Sequence, residues 1–246
     1  MKNMLANRRF QISALVAICM FAATPDPARA AVSYQFAGPT DTIPGLTGFS
    51  TSGDQMSGMT VTAQFSGGLT ETRSWTTTGA ESGGVVGSGW SLVESGNTYT
   101  EPWTFGFTGQ GLGQLQTLTL NGGTGLTVFD VDLPGQSDAD ASTWGTPGSA
   151  QGGRLSFLTG FSGDATVTYS HEVAISPNDP VGDLFHVLTV SFGTGGPRAE
   201  FAFTQDTDND SRLNQVPEPR SLLLIALALA CMLGFRGRVS ASKSRA

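Results

Sequence analysis

Cysteine is nearly absent from this sequence: of its 246 residues only two are cysteines, Cys19 and Cys231. Both lie in apolar stretches near the ends, so the segment from residue 31 to residue 215 contains none. This segment can form no disulfide, no thiolate metal site and no cysteine nucleophile. Its stability must come from a hydrophobic core, and about 185 residues are enough to build one.

Basic side chains are also scarce in this segment, which contains four arginines, no lysine and eighteen acidic residues. Its net charge is therefore −14, compared with −7 for the whole chain. Proteins bind nucleic acids and anionic lipids through clustered lysine and arginine, so this composition excludes nucleic acid as a partner. Soluble cations are the small partners that such a charge favours.

The N-terminal residues have the three parts of a secretory signal peptide. Basic residues precede a short apolar run at 12–23, and an Ala-x-Ala sequence ends at Ala30. The apolar run is shorter than the roughly 20 residues that a membrane-spanning helix needs. We predict that residues 1–30 are a signal peptide and that cleavage falls between Ala30 and Ala31.

The central segment shows the pattern of an all-β protein. Short runs of β-branched and aromatic residues are separated by Gly, Ser, Asn and Pro, without helical periodicity. The alternating runs at 59–65 and 71–77, joined by Ser-Gly-Gly-Leu, predict a β-hairpin. Nine further candidate strands lie at 32–36, 90–94, 103–108, 115–120, 126–133, 154–158, 165–175, 183–192 and 198–204.

This number of strands at short spacing predicts an antiparallel, jelly-roll-like β-sandwich. We expect it to form one ectodomain at 31–205, followed by an acidic linker at 206–215. The four tryptophans could pack in the core or stack on sugar rings. Three of them lie in predicted strands and are expected in the core, whereas Trp144, in a long polar loop at 133–153, is the better candidate to bind a ligand.

The C-terminal residues have the parts of a sorting signal whose apolar tail is removed after recognition. Two prolines keep the first part extended. The apolar segment at 222–235 is again shorter than the roughly 20 residues of a transmembrane helix. The basic residues after it would hold the last segment, 239–246, in the cytoplasm. The motif consists of Val216, Pro217, Glu218 and Pro219, and the basic stop consists of Arg236 and Arg238.

This arrangement resembles the PEP-CTERM sorting domain of Gram-negative bacteria over residues 216–238. The resemblance implies export, a temporary inner-membrane anchor formed by the apolar helix, and processing by a membrane-embedded exosortase. It also implies a final location at the cell envelope, the cell surface or the extracellular matrix, in a bacterium that makes exopolysaccharide or biofilm. The chain is also similar to the β-rich ectodomains of a group of PEP-CTERM surface proteins, at segments 53–65, 181–192 and 201–210. This second resemblance implies an architecture but no activity.

Acidic residues at alternate positions suggest a calcium site. Asp206, Asp208 and Asp210 bring together carboxylate oxygens, which Ca²⁺ prefers as ligands. The EF-hand pattern is not matched, because the glycine at its sixth position and the glutamate at its twelfth are missing. The alternative interpretation is a solvated acidic linker that leads to the sorting motif.

Few residues suggest catalysis. Asp130 and Asp132 lie two positions apart on a predicted strand and could act as paired acids, or could belong to a solvated edge strand. His171 and His186 lack the spacing of metal ligands, and motifs for nucleophiles, nucleotides and zinc proteases are absent. The sequence therefore predicts no enzyme. The alternative, a glycan-active hydrolase or lyase, requires these acids, Glu172 and the histidines to converge in one cleft.

These observations together predict an exported structural or adhesive protein of the cell surface or matrix. Its expected partners are exosortase and exopolysaccharide, with calcium as a candidate cofactor.

Overall fold

The computed structural model describes residues 30–47, 51–109, 111–132 and 152–212. Residues 1–29 of the predicted signal peptide lie outside these residues, as do Trp144, the sorting motif, the apolar segment at 222–235 and the basic stop. Within the described ranges, no helix is long and apolar enough to cross a membrane.

The described residues form fifteen strands and two short 3-10 helices. The strands are β1 (Ala31–Ile43), β2 (Leu46–Thr47), β3 (Thr60–Phe65), β4 (Thr70–Ser74), β5 (Thr76–Gly79), β6 (Ser82–Val86), β7 (Trp90–Ser95), β8 (Trp103–Phe107), β9 (Leu115–Asn121), β10 (Thr127–Asp130), β11 (Ser156–Thr159), β12 (Asp164–Ile175), β13 (Leu184–Phe192), β14 (Phe201–Thr204) and β15 (Thr207–Asp210). The 3-10 helices are Gly53–Met56 and Gly122–Gly125.

The strands form two sheets, which confirms the predicted all-β sandwich. The larger sheet has the order β2-β15-β10-β13-β9-β3-β4, and β12 also pairs with β13 while β1 pairs with β12. The smaller sheet has the order β11-β14-β8-β7-β6-β5. Every pair is antiparallel except β1 and β12, which run parallel in the described residues.

Alternation along the strands creates the core between the sheets. In β3, Val61, Ala63 and Phe65 are fully buried, while the residues between them are not. Strands of both sheets bury residues in the same way. Most of the buried side chains form one large cluster, and a second, smaller cluster consists of Ile43, Val128, Val173 and Leu184. Burial of each large apolar side chain contributes roughly 1.5–3 kcal/mol relative to leaving it in water. The core therefore supplies the stability that disulfides cannot.

Three tryptophans lie in this core, as predicted. Trp75, Trp90 and Trp103 are at most 1% exposed. The run at 71–77, predicted as one strand, is divided at Trp75 into two strands. The first, β4, belongs to the larger sheet, and the second, β5, belongs to the smaller sheet. The Trp75 indole donates to the Gly53 carbonyl at 2.7 Å. Gly83 must be glycine here, since a Cβ would come within 2.2 Å of the indole nitrogen. The predicted hairpin of β3 and β4 is confirmed.

The acidic segment after residue 205 corrects the predicted domain boundary. Residues Thr207–Asp210 form β15, which pairs with β10 and with β2 and is buried throughout. The assignment of a solvated linker from residue 206 is therefore wrong for these residues. Pairing with β10 on one side and β2 on the other provides hydrogen-bond partners for the backbone of β15. Thr98 Oγ1 also accepts a hydrogen bond from the Thr207 amide at 3.2 Å.

Candidate functional site

Both histidines of the chain meet at one aspartate. Nδ1 of His186 lies 2.8 Å from Asp41 Oδ2, and Nδ1 of His171 lies 3.2 Å from the same oxygen. The three residues come from β13, β12 and β1, which are neighbours in the larger sheet. We refer to Asp41, His171 and His186 as the histidine–aspartate cluster. The sequence contained no spacing signal for it, because the residues are far apart along the chain.

An irregularity in the parallel pair of strands creates this cluster. The register shifts between Ala37 and Thr40 of β1, opposite His171 of β12. His171 has φ +58 and Gly38 has φ +100, and both values lie in the left-handed region. For a residue other than glycine this conformation costs on the order of 1–3 kcal/mol, and such strain concentrates at functional sites. The bulge places the His171 side chain next to Asp41.

The two imidazoles differ in exposure. The His186 side chain is 8% exposed, whereas that of His171 is 44% exposed. Nε2 of His186 is buried, without a hydrogen-bond partner in the described residues. If Nδ1 of a neutral His186 carries the hydrogen and donates to Asp41, then Nε2 is an acceptor.

The electrostatics of Asp41 follow from these contacts. Burial by itself raises the pKa of Asp41, but the hydrogen bond from His186 and the charges of both imidazoles outweigh it and lower the pKa below its ordinary value. Asp41 is therefore an anion at neutral pH. It can hold both imidazole rings in fixed orientations.

A cavity of about 450 Å³ opens beside the cluster. The polar groups around it could bind the hydroxyl groups of a small polar ligand or of one unit of a polymer. Gly123 packs against the His186 ring, since a Cβ at this position would lie 3.1 Å from the ring carbon Cγ. The polar lining consists chiefly of Asp41, Asn121, Thr124, His171, His186 and Arg212.

A second cluster consists of buried carboxyl groups at the β10–β15 pair. Asp130, Asp206 and Asp208 are at most 7% exposed, and Asp183 is buried close to them. Burial, followed by the charge of Asp208, raises the pKa of Asp206 to about 8. Burial and the charge of Asp183 raise the pKa of Asp208 to about 7, and burial raises the pKa of Asp130 well above its usual value.

The residues of the predicted calcium site separate into two environments. Asp206 and Asp208 belong to the buried carboxyl cluster, whereas Asp210 accepts a hydrogen bond from Arg212 Nε at 2.7 Å. Across the described part of the chain, no group of three or more His, Cys, Asp or Glu residues is placed to hold a metal ion. Calcium binding by these aspartates stays a prediction.

The acids considered for catalysis lie in different environments. Strand β10 ends at Asp130, which is buried, and Asp132 beyond it is exposed and lies 3.1 Å from Arg154 Nε. The histidines meet at Asp41 and not at this pair of aspartates. The single cleft that the enzymatic alternative requires is therefore not formed by these residues.

Comparison with known proteins finds a match at the C-terminal end of the chain. The model of the PEP-CTERM protein-sorting motif matches residues 215–239. No curated protein and no solved structure matches the chain. The fold thus defines a β-sandwich ectodomain, and the C-terminal match defines a protein that carries a PEP-CTERM sorting motif. This motif implies an exported, surface-sorted protein that is processed by exosortase.

Proposed function

We propose that this protein is a structural or adhesive component of the exopolysaccharide matrix of a Gram-negative bacterium. Export, transient anchoring in the inner membrane and processing by exosortase would deliver it to the envelope, the surface or the matrix. The observation that carries the proposal is the sorting motif at residues 215–239, which follows a cysteine-free β-sandwich.

The charge of the ectodomain supports a glycan as the partner. The segment from residue 31 to residue 215 has a net charge of −14, which disfavours nucleic acids and anionic lipids. The cavity beside the histidine–aspartate cluster is lined by amide, hydroxyl, imidazole and guanidinium groups, which hydrogen-bond to sugar hydroxyls. Calcium stays a candidate cofactor of this binding, because the net negative charge of the ectodomain favours soluble cations.

We propose a binding protein without enzymatic activity. What supports this choice is the separation of Asp130 and Asp132 from the histidines, together with the absence of a catalytic motif in the sequence. A hydrolase or lyase would need an acid and a base placed on both sides of one scissile bond.

Co-sedimentation tests the proposed function. The purified exported protein is mixed with the insoluble exopolysaccharide of the producing bacterium, first with calcium and then with chelator. Saturable binding is the expected result, and its loss with chelator would support the calcium contribution. Absence of binding in both conditions would overturn the adhesive role, and release of soluble sugar from the polymer would overturn the choice against an enzyme.

A further inference from the structure

The outer face of the larger sheet is an ordered array of small polar side chains. Along β3, β9, β12 and β13 the residues that alternate with the core point away from it, and they are half-buried or exposed. Thr-x-Thr or Thr-x-Ser sequences occupy these positions, as in Thr60–Thr62, Thr117–Thr119, Thr166–Thr168 and Thr189–Ser191. Thr70 and Thr72 of β4 continue the pattern.

The register aligns these residues into rows across six strands. The central row consists of Gln35, Thr168, Thr189, Thr119, Thr62 and Thr72. A parallel row runs from Ser33 to Thr70 on one side, and another runs from Ala37 to Ser74 on the other side. We call these three rows of six positions the hydroxyl face.

No position of the hydroxyl face carries an ionisable side chain, although the ectodomain is strongly acidic. Adjacent rows are separated by roughly 6.6–6.8 Å and adjacent strands by about 4.7–4.9 Å, a scale comparable to a sugar ring. The face itself therefore carries no charge that attracts an ionic partner, and only the net negative charge of the surrounding ectodomain acts on one. The face complements an uncharged partner that presents many hydroxyl groups.

The hydroxyls of the face keep capacity for a ligand. Thr62 and Thr72 share a hydrogen bond at 2.8 Å, and Thr119 and Thr189 share one at 3.2 Å. Each hydroxyl has one donor and two acceptor positions, so one cross-strand bond leaves the remaining positions available. The bonds between strands also fix the side-chain orientations, which reduces the entropy lost on binding.

The hydroxyl face continues into the cavity beside the histidine–aspartate cluster. Asn121 and Val187 belong to its third row and also line this cavity. A polymer lying along the face would therefore reach Asp41 and the two imidazoles at one end. An ordered array with a cavity at its end suits an extended chain of repeated units.

We propose that the hydroxyl face and the adjoining cavity form one binding surface for a neutral, hydroxyl-rich polysaccharide. This inference rests on the proposed function, and it adds the location of the binding surface and the chemical class of the polymer. Anionic polymers are disfavoured, because the ectodomain that carries the face is negatively charged.

Binding of the purified exported protein to insoluble polysaccharides of matched backbone tests this surface. The probes are cellulose, chitin and carboxymethyl-cellulose resin, measured by depletion of protein from solution. We expect saturable binding to cellulose or chitin, and weaker binding to the carboxymethylated resin. Binding to carboxymethyl-cellulose alone, or to none of the three, would overturn the inference.

Charge-introducing variants locate the surface. Thr119→Lys alters the centre of the face and Gln64→Lys alters an exposed position in a neighbouring row. Each should weaken binding by about tenfold, the effect of losing roughly 1.4 kcal/mol of binding free energy. Asn121→Ala should weaken it at the cavity end. The matched control is Thr104→Lys, a half-buried threonine in the centre of the smaller sheet, which should bind like the unaltered protein.

The same variants separate this inference from the proposed function. If the host exopolysaccharide retains the unaltered protein and the folded face variants equally well, the binding surface is elsewhere while the matrix role stands. If the host exopolysaccharide does not retain the unaltered protein, both proposals fail. Thermal melting identifies any variant that has lost its fold. Gln64 is exposed, so the binding of Gln64→Lys then shows whether the hydroxyl face binds the polymer.

Discussion

Asp41 and His186 are 145 positions apart in the chain, yet Oδ2 of the carboxylate lies 2.8 Å from Nδ1 of the imidazole. The contact depends on β1, which joins the larger sheet through its parallel pairing with β12. It therefore links the first strand of the ectodomain to the centre of the sheet. Its removal should affect both the stability of this strand and the cavity beside it.

Asp41→Asn should lower the free energy of unfolding by about 1 kcal/mol at pH 7. The variant loses a charged acceptor of two hydrogen bonds, but the side chain is 38% exposed, so solvent reduces the effect. Urea denaturation measures the loss. Asp179→Asn, at an exposed position, is the control and should change little.

The effect of Asp41→Asn should also depend on pH. A carboxyl group whose pKa is lowered in the folded protein stabilises it above the unfolded pKa of about 3.9, and this contribution is lost as the pH falls through the lower, folded value. The two proteins should therefore converge in stability at acidic pH. A difference that stays constant down to pH values of about 3 or below would contradict the account.

Glu94→Gln should remove a loss of stability that occurs as the pH rises. Burial, followed by the charges of Glu101 and Asp54, raises the pKa of Glu94 to about 8, whereas the unfolded value is about 4.3. The folded state keeps this proton after the unfolded state has lost it, so stability falls between these two values. Melting temperatures at both ends of this range measure the slope. Glu200→Gln is an exposed control, and an unchanged slope in Glu94→Gln would refute the assignment.

Trp90→Phe should cost about 1.5–3 kcal/mol of unfolding free energy, because it removes a buried donor to a charged acceptor. The Trp90 indole donates to Glu71 Oε2 at 2.8 Å and so joins the smaller sheet to the larger one. Trp103→Phe is the matched control, since the Trp103 indole donates to the neutral carbonyl of Gln205 at 3.1 Å. Equal losses in chemical denaturation would show that the charge of Glu71 is not the cause.

The strands predicted from alternation were those whose side chains divide between core and solvent. Runs such as β3 and β12 combine β-branched residues with period two, and both were anticipated. Strand β6, Ser-Gly-Gly-Val-Val, was not, because glycine lowers β-propensity and carries no alternation signal. Strand β15 was missed because its aspartates are rarely buried, whereas the ladder with β10 and β2 places them inside the sheet.

The histidine–aspartate cluster could not be predicted from sequence for a different reason. His171 is 130 positions from Asp41, and their contact depends on a parallel pairing and a register shift. The strand predicted at 32–36 ends before Gly38 and Pro39, a dipeptide that is typical of turns. In the structure β1 continues past them with a bulge. Local pattern thus identified the strands, but not which of their polar residues meet.

Processing in the producing bacterium tests the central claim, delivery by the sorting motif, most directly. The measurement compares the size of the protein and its distribution between membrane and matrix fractions, for the unaltered chain and for a chain with Pro217→Ala and Pro219→Ala. Ser240→Ala, beyond the motif, is the control. The account predicts that the unaltered and control chains are shortened and reach the matrix, whereas the altered chain keeps its full tail and stays with the membrane. Identical size and distribution of all three chains would contradict it.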